Sequence, residues 1–225
     1  MNKPAEKAGA YARTGRYLRA ILGLLLISGA ATLAVSWMEL STRGMISANE
    51  RAHELAILTT VLPAGSYDNR PEQDVLMMVN SELLGSASAQ PVYSARANGQ
   101  VVTSVLTVTA PDGYVGPIQL LIGINRSGNI TGVRAIRHKE TPGLGDFIDI
   151  TRSRWIEIFS GRGQNADEPG MALRQDGGDI DHVTGATITS RAVTNAVANA
   201  LLFYSKNREV LLAPAAEPLA AAPAP

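Results

Sequence analysis

The hydropathy pattern divides the chain into parts of different kinds. Residues 20–38, AILGLLLISGAATLAVSWM, carry no charge. At ~1.5 Å rise per residue this run reaches about 28 Å as a helix, close to the bilayer core of about 30 Å. Tyr17 and Trp37 sit near its two ends, where amphipathic rings favour the membrane interface. A transmembrane helix is therefore expected over 17–38, followed by a juxtamembrane helix or stalk over 39–62. Leu55, Leu58 and Leu62 recur there at helical spacing, and Pro63 provides the stop. Beyond a turn-rich stretch at 64–70, Asp74–Leu84 reads as a further helix. Val101–Thr109 is rich in Val and Thr and reads as a strand. Ile118–Asn125 and Ile130–His138 are β-type runs joined by Arg126-Ser127-Gly128-Asn129, a hairpin signal. Phe147–Phe159 suggests a short helix on the sheet, and Gly161–Gly178 a polar connection. Ile188–Tyr204 has the clearest helical period, with Val193, Ala196, Val197, Ala200, Leu201 and Tyr204 on one face. The expected fold is α+β: one N-terminal transmembrane helix, then one domain over 63–205 with an antiparallel-type sheet and flanking helices. Residues 206–225, rich in Ala and Pro, read as a disordered tail.

Charge and composition narrow the function. Lys+Arg and Asp+Glu each total 20 of 225 residues, so no basic surface for nucleic acid is expected. No cysteine is present, which removes disulfides, thiolate zinc sites, iron–sulfur clusters and cysteine nucleophiles. Local charge is less even: Lys3, Lys7, Arg13, Arg16 and Arg19 precede the apolar run against Glu6 alone. By the positive-inside rule residues 1–16 are a cytoplasmic tail, and the domain lies across the inner (plasma) membrane, in the periplasm of a Gram-negative cell. A cleaved signal peptide is the competing reading, given the small residues at 29–34. The apolar run exceeds a signal core of about 7–15 residues, which favours a single-pass anchor.

The candidate chemistry gathers before the last helix, in Asp181-His182-Val183-Thr184-Gly185-Ala186-Thr187. Small residues there permit close approach to the backbone, and the hydroxyls of Thr184, Thr187, Thr189 and Ser190 crowd the helix start. A plain N-cap with a tight turn is one reading. An anion site is the other, since free N–H groups and the helix dipole favour phosphate. A second cluster is His138-Lys139-Glu140-Thr141-Pro142-Gly143-Leu144-Gly145-Asp146, and a third is Gly113-Tyr114-Val115-Gly116-Pro117-Ile118.

The pattern Asp-x-x-(Ser/Thr)-Gly-Ala-Thr resembles the acceptor motif of flavin transferases, which join FMN by a phosphodiester to the last Thr, here Thr187. The three clusters, in this order behind one anchor, resemble the G subunit of the Rnf (Rsx) ion-translocating electron-transport complex. The C subunit of the sodium-translocating NADH:quinone reductase shares the anchor, the loop and the acceptor motif; Asp146 and the modest length lean toward the Rnf member. The resemblance covers about residues 17–205. It implies covalent FMN on Thr187, with Asp181, Thr184, Gly185, Ala186, His138, Glu140, Thr141, Gly143, Leu144 and Gly145 around it. It implies a redox subunit with little turnover alone, in a complex coupling ferredoxin/NAD electron transfer to Na⁺ or H⁺ movement. The implied partners are the other membrane subunits and, during maturation, a flavin transferase. In that picture the 141–145 loop packs the ring, while His138 and Glu140 orient the loop or bond the flavin.

Other patterns carry less. Gly161-Arg162-Gly163-x-x-Ala166 mimics a dinucleotide fingerprint but opens no βαβ helix. Asp179, Asp181 and His182 read as a solvated turn rather than a metal site, and neither a metal nor a catalytic triad is expected. The competing function is a non-redox, membrane-anchored periplasmic domain that binds a phosphorylated ligand reversibly.

Overall fold

The computed structural model describes residues 4–163 and 171–214; for 4–20 and 45–51 it describes the backbone alone. The first helix, α1, covers Pro4–Val61. Contacts group the chain into two units, Met1–Ala52 and His53–Pro225. Within the first unit, Ile21–Gly44 is long and apolar enough to cross a membrane. The hydroxyls of Ser28, Thr32 and Thr42 donate to carbonyls three or four residues earlier, which satisfies them without water.

The second unit is built on five antiparallel strands in the order β1-β2-β3-β4-β5. These are β1 (Val75–Asn80), β2 (Ser86–Ala97), β3 (Gln100–Ala110), β4 (Ile118–Asn125) and β5 (Ile130–Arg137). Both faces of the central strands are covered, so β3 and β4 are buried along most of their length rather than alternating. On one face Leu106, Val108, Leu120 and Ile122 pack with Val193, Val197 and Phe203 of α2 (Thr187–Lys206). On the other, Tyr93, Ala95, Val105 and Leu121 meet Leu58, Val61 and Leu62. Gly123 and Gly132 are paired in the sheet where Val61 lies on it. A Cβ at Gly132 would stand 3.2 Å from the Val61 Cα, and one at Gly123 would stand 2.7 Å from its carbonyl oxygen. Thr131 Oγ1 donates to that oxygen at 2.6 Å, satisfying a carbonyl that the end of α1 leaves open. The folded unit thus begins at His53, ten residues before the expected boundary.

Four expectations change. Asp74–Leu84 is not a helix: Val75–Asn80 is edge strand β1, paired with Ser86–Tyr93. A short apolar run does not separate helix from strand by period, and the partner supplies the deciding hydrogen bonds. β2 had no predicted element, because Pro91 and a run of Ser, Ala and Gln weaken its strand signal. Phe147–Phe159 forms no continuous helix, only 3₁₀ turns at Asp146–Ile148 and Trp155–Phe159. Phe147 and Phe159 are held edge-on to Trp155, at ring separations of 4.9 and 5.4 Å. Finally, the expected tail starts folded. α3 (Arg208–Leu211) buries Leu211, and Arg96 donates to the Ala213 carbonyl at 2.9 Å. Residues 215–225 and the middle of the 161–178 connection lie outside the described residues.

Candidate functional site

Three chain segments converge at one edge of the domain: the β3–β4 loop, the loop after β5 and the start of α2. They meet on Glu140, which is 4% exposed. Its Oε1 accepts the Val115 N–H at 3.0 Å, and its Oε2 accepts the Thr189 hydroxyl at 2.6 Å. Gly145 has no room for a side chain, since a Cβ would lie 2.6 Å from Oε2 and 2.9 Å from the Glu140 Cβ. Gly113 is similarly confined, by Gly116 and by Glu140 Oε1. The loop itself is a tight turn. Leu144 and Gly145 donate to the Thr141 carbonyl at 3.1 and 2.9 Å, and Gly143, at φ +76°, donates to Asp146 Oδ1 at 2.8 Å.

At the start of α2 the chain turns through Gly185, at φ +84°, and no side chain caps the helix. The N–H groups of its first turn therefore remain open to an anion. The neighbouring hydroxyls sort themselves by partner. Thr189 donates to Glu140; Ser190 accepts the Val183 N–H and donates to the Ala186 carbonyl; Thr194 donates to the Ser190 carbonyl. Thr187 and Thr184 make no side-chain hydrogen bond among the described residues.

A cavity of about 320 Å³ opens between the three segments. Tyr114 lines it from the first, Glu140, Thr141, Leu144 and Gly145 from the second, and residues 185–189 from the third. Tyr114, Leu144 and Ile188 are all exposed there, and the lining is mostly apolar. An apolar cleft beside an uncapped helix N-terminus suits a planar ring carrying a phosphate, which is the chemistry of a flavin mononucleotide.

Of the residues expected around a flavin, Glu140, Thr141, Leu144, Gly145, Gly185, Ala186 and Thr187 line this cavity. Four do not. His138 turns inward to its own loop, with Nδ1 accepting the Glu140 N–H at 3.3 Å. Gly143 lines an adjoining depression with Pro142, Phe147 and Arg152. Asp181 pairs with Arg174 at 3.1 Å, and its carbonyl accepts the Trp155 indole N–H at 2.8 Å. Thr184 stands outside the cleft. Tyr114, Ile188 and Thr189 also line the cavity, although the sequence does not mark them as flavin contacts. Tyr114 belongs to the Gly113–Ile118 motif, whereas Ile188 carries only the weak signal of falling off the apolar face of α2.

The nearby carboxylates have other work. Asp179 pairs with Arg162 and Asp181 with Arg174, so neither is a bare ligand. Gly161 and Arg162 hydrogen-bond Ile130 at the start of β5, which gives that dipeptide a structural role. Asp176 accepts two hydrogen bonds from Arg191, at 2.7 and 3.0 Å, which hold its carboxyl below the usual value. Burial raises the Asp149 carboxyl, but hydrogen bonds from the Thr151 N–H and hydroxyl, together with the nearby His138 and Arg152, outweigh it, and the net shift is downward.

Residues 113–202, which contain the cavity-lining residues of all three converging segments, match the FMN-binding domain family. The class is therefore that of an FMN-binding domain behind one helix able to span a membrane. Over 196 residues the chain is 42% identical to the ion-translocating oxidoreductase complex G subunit of Pseudomonas aeruginosa (strain UCBPP-PA14), covering 86% of this chain and 90% of that one. It is 40% identical over 191 residues to the corresponding G subunit of Aliivibrio fischeri (strain ATCC 700601 / ES114), covering 84% and 91%. For the Yersinia pestis G subunit the identity is 42% over 181 residues, covering 80% and 86%. The chain belongs to the G-subunit family of ion-translocating oxidoreductase complexes.

Proposed function

We propose that this protein is a membrane-anchored electron-transfer subunit whose FMN is joined through its phosphate to Thr187 Oγ1. The observation that carries the reading is selective. Of the hydroxyls crowding the start of α2, Thr187 alone both lines the cavity and lacks a protein partner among the described residues. FMN, when bound, supplies a ring that takes up and releases one or two electrons. Leu144, Ile188 and Tyr114 offer that ring apolar surface and exclude water from one side of it. The open N–H groups and dipole of α2 favour the negative charge of the phosphodiester.

Attachment requires an activated FMN donor and a flavin transferase. The Thr187 oxygen forms a new bond to the FMN phosphorus, the bond from phosphorus to its phosphate leaving group breaks, and the hydroxyl proton leaves with that group or a base. A tether replaces diffusive binding by a high effective concentration, which matters where free FMN is dilute. The basic N-terminal segment orients residues 1–16 to the cytoplasm and the FMN domain to the periplasm. The partners are the other membrane subunits, in a complex that couples ferredoxin/NAD electron transfer to Na⁺ or H⁺ movement.

The test is the mass of the Thr187 peptide from membranes in which the transferase is active. An FMN increment that disappears in Thr187→Val supports the reading. An unmodified wild-type peptide, with flavin released on denaturation, establishes reversible binding instead.

A further inference from the structure

We infer that Glu140 is a positioning residue for the modification of Thr187: its carboxylate sets the first turn of α2 by holding the Thr189 hydroxyl. The inference rests on the attachment reading above and adds the device that presents the acceptor.

The hydrogen bonds reach far along the chain. Glu140 is 25 residues from Val115 and 49 from Thr189, yet one buried carboxylate accepts from both. The bond to Thr189 is short, at 2.6 Å, and charge-assisted, a class about twice as strong as neutral hydrogen bonds. It also places a negative charge beside the N-terminus of α2, where the dipole favours it. Two consequences follow. Thr189, two residues beyond the acceptor, is 1% exposed and spends its hydroxyl inside the protein, so it does not compete for the flavin. Thr187 is held at the cavity wall by a helix turn whose rotation is fixed from within. Nothing else among the described residues ties the loop after β5 to this turn by a side-chain hydrogen bond.

The geometry also specifies which replacement works. A glutamine keeps a carbonyl oxygen for the Val115 N–H and turns an amide N–H toward Thr189 Oγ1, which then accepts. An alanine leaves both groups without a partner.

The experiment uses the full-length chain, purified in detergent without flavin and incubated with a flavin transferase and a flavin dinucleotide as activated FMN. Initial rates are read by in-gel fluorescence, the site by peptide mass, and folding by near-ultraviolet circular dichroism. Glu140→Ala is expected to slow labelling of Thr187 by about tenfold or more, because displacements of about 1 Å cost up to about 100-fold in positioned reactions. Glu140→Gln is expected to stay within about threefold of wild type. Thr189→Val should slow labelling like Glu140→Ala, and the double variant should be no slower than Glu140→Ala, as for two members of one interaction. The inference is overturned if Glu140→Ala labels at the wild-type rate, if Glu140→Gln falls as far as Glu140→Ala, or if the single effects multiply in the double variant. Should Glu140→Ala not fold, the isosteric pair decides: Thr189→Val at the wild-type rate overturns the inference, and slowed labelling with Glu140→Gln retained supports it. Failure of wild type to label at Thr187 sinks the attachment reading and this inference together. Normal wild-type labelling with an indifferent Glu140→Ala sinks this inference alone.

Discussion

Gly145→Ala isolates the packing on which the site depends. The backbone there has φ −99°, which alanine adopts without strain, so any effect comes from the added methyl group. That carbon would stand 2.9 Å from the Glu140 Cβ and 2.6 Å from Oε2. Ordinary carbon–carbon contact is about 3.5 Å, so Glu140 must retreat by about 0.6 Å. The Cβ is anchored to the backbone and cannot swing aside, and the retreat pulls Oε2 off Thr189. Overpacking of this kind costs about 1–3 kcal/mol, and a weakened hydrogen bond to a charged group adds about 1 kcal/mol. A loss near 3 kcal/mol corresponds to a fall of about 6–12 °C in Tm for a domain of this size. The assay is a thermal melt of the full-length chain in detergent, followed in the near ultraviolet, where Trp155 reports tertiary packing. Gly143→Ala is the control. A Cβ at Gly143 meets nothing within 4 Å, although φ is +76°, so it should cost about 1 kcal/mol of backbone strain and spare Glu140. A Gly145→Ala protein melting within about 2 °C of wild type, or one no worse than Gly143→Ala, would refute the view that Glu140 is held by contact with the glycine.

Three further outcomes are expected. Thr131→Val removes the donor from the Val61 carbonyl and should destabilise the folded unit that begins at His53 by about 1–2 kcal/mol, measurable by urea unfolding. Arg96→Met strips a buried guanidinium from Asp74 and from the Ala213 and Gly99 carbonyls. A loss of about 2–3 kcal/mol is expected, with proteolysis beginning at the C-terminal residues that Arg96 holds. The third concerns acid: Asp149 has a lower pKa folded than unfolded, so its stabilisation is complete above the unfolded value of about 4 and fades as pH falls through the folded one. Thr151→Val removes the hydroxyl that helps depress this carboxyl, and should flatten the acid limb of a stability–pH curve measured by urea unfolding.

What was legible in the sequence was local. The apolar run near the N-terminus, the β4–β5 hairpin around Gly128, the α2 stripe and the Gly185 turn each depend on residues within a few positions of one another. The FMN-binding domain was legible for the same reason: its three motifs are each written in consecutive residues, and all lie within the 113–202 match. β1 and β2 were not, because strands are stabilised by partners rather than by their own period, and Val75–Asn80 is apolar enough to suit either form. Which residues share the cavity was also decided in three dimensions. His138 and Asp181 stand in the right motifs, but their hydrogen bonds draw them away from the cleft, while Tyr114 and Ile188 arrive from separate segments. Glu140 shows the difference most directly. Its place in a glycine-bordered loop is a property of the sequence, but its bonds to Val115 and Thr189 exist only because the sheet brings three loops to one edge. A buried carboxylate must find donors wherever the fold supplies them, and no local pattern names donors 25 and 49 residues away.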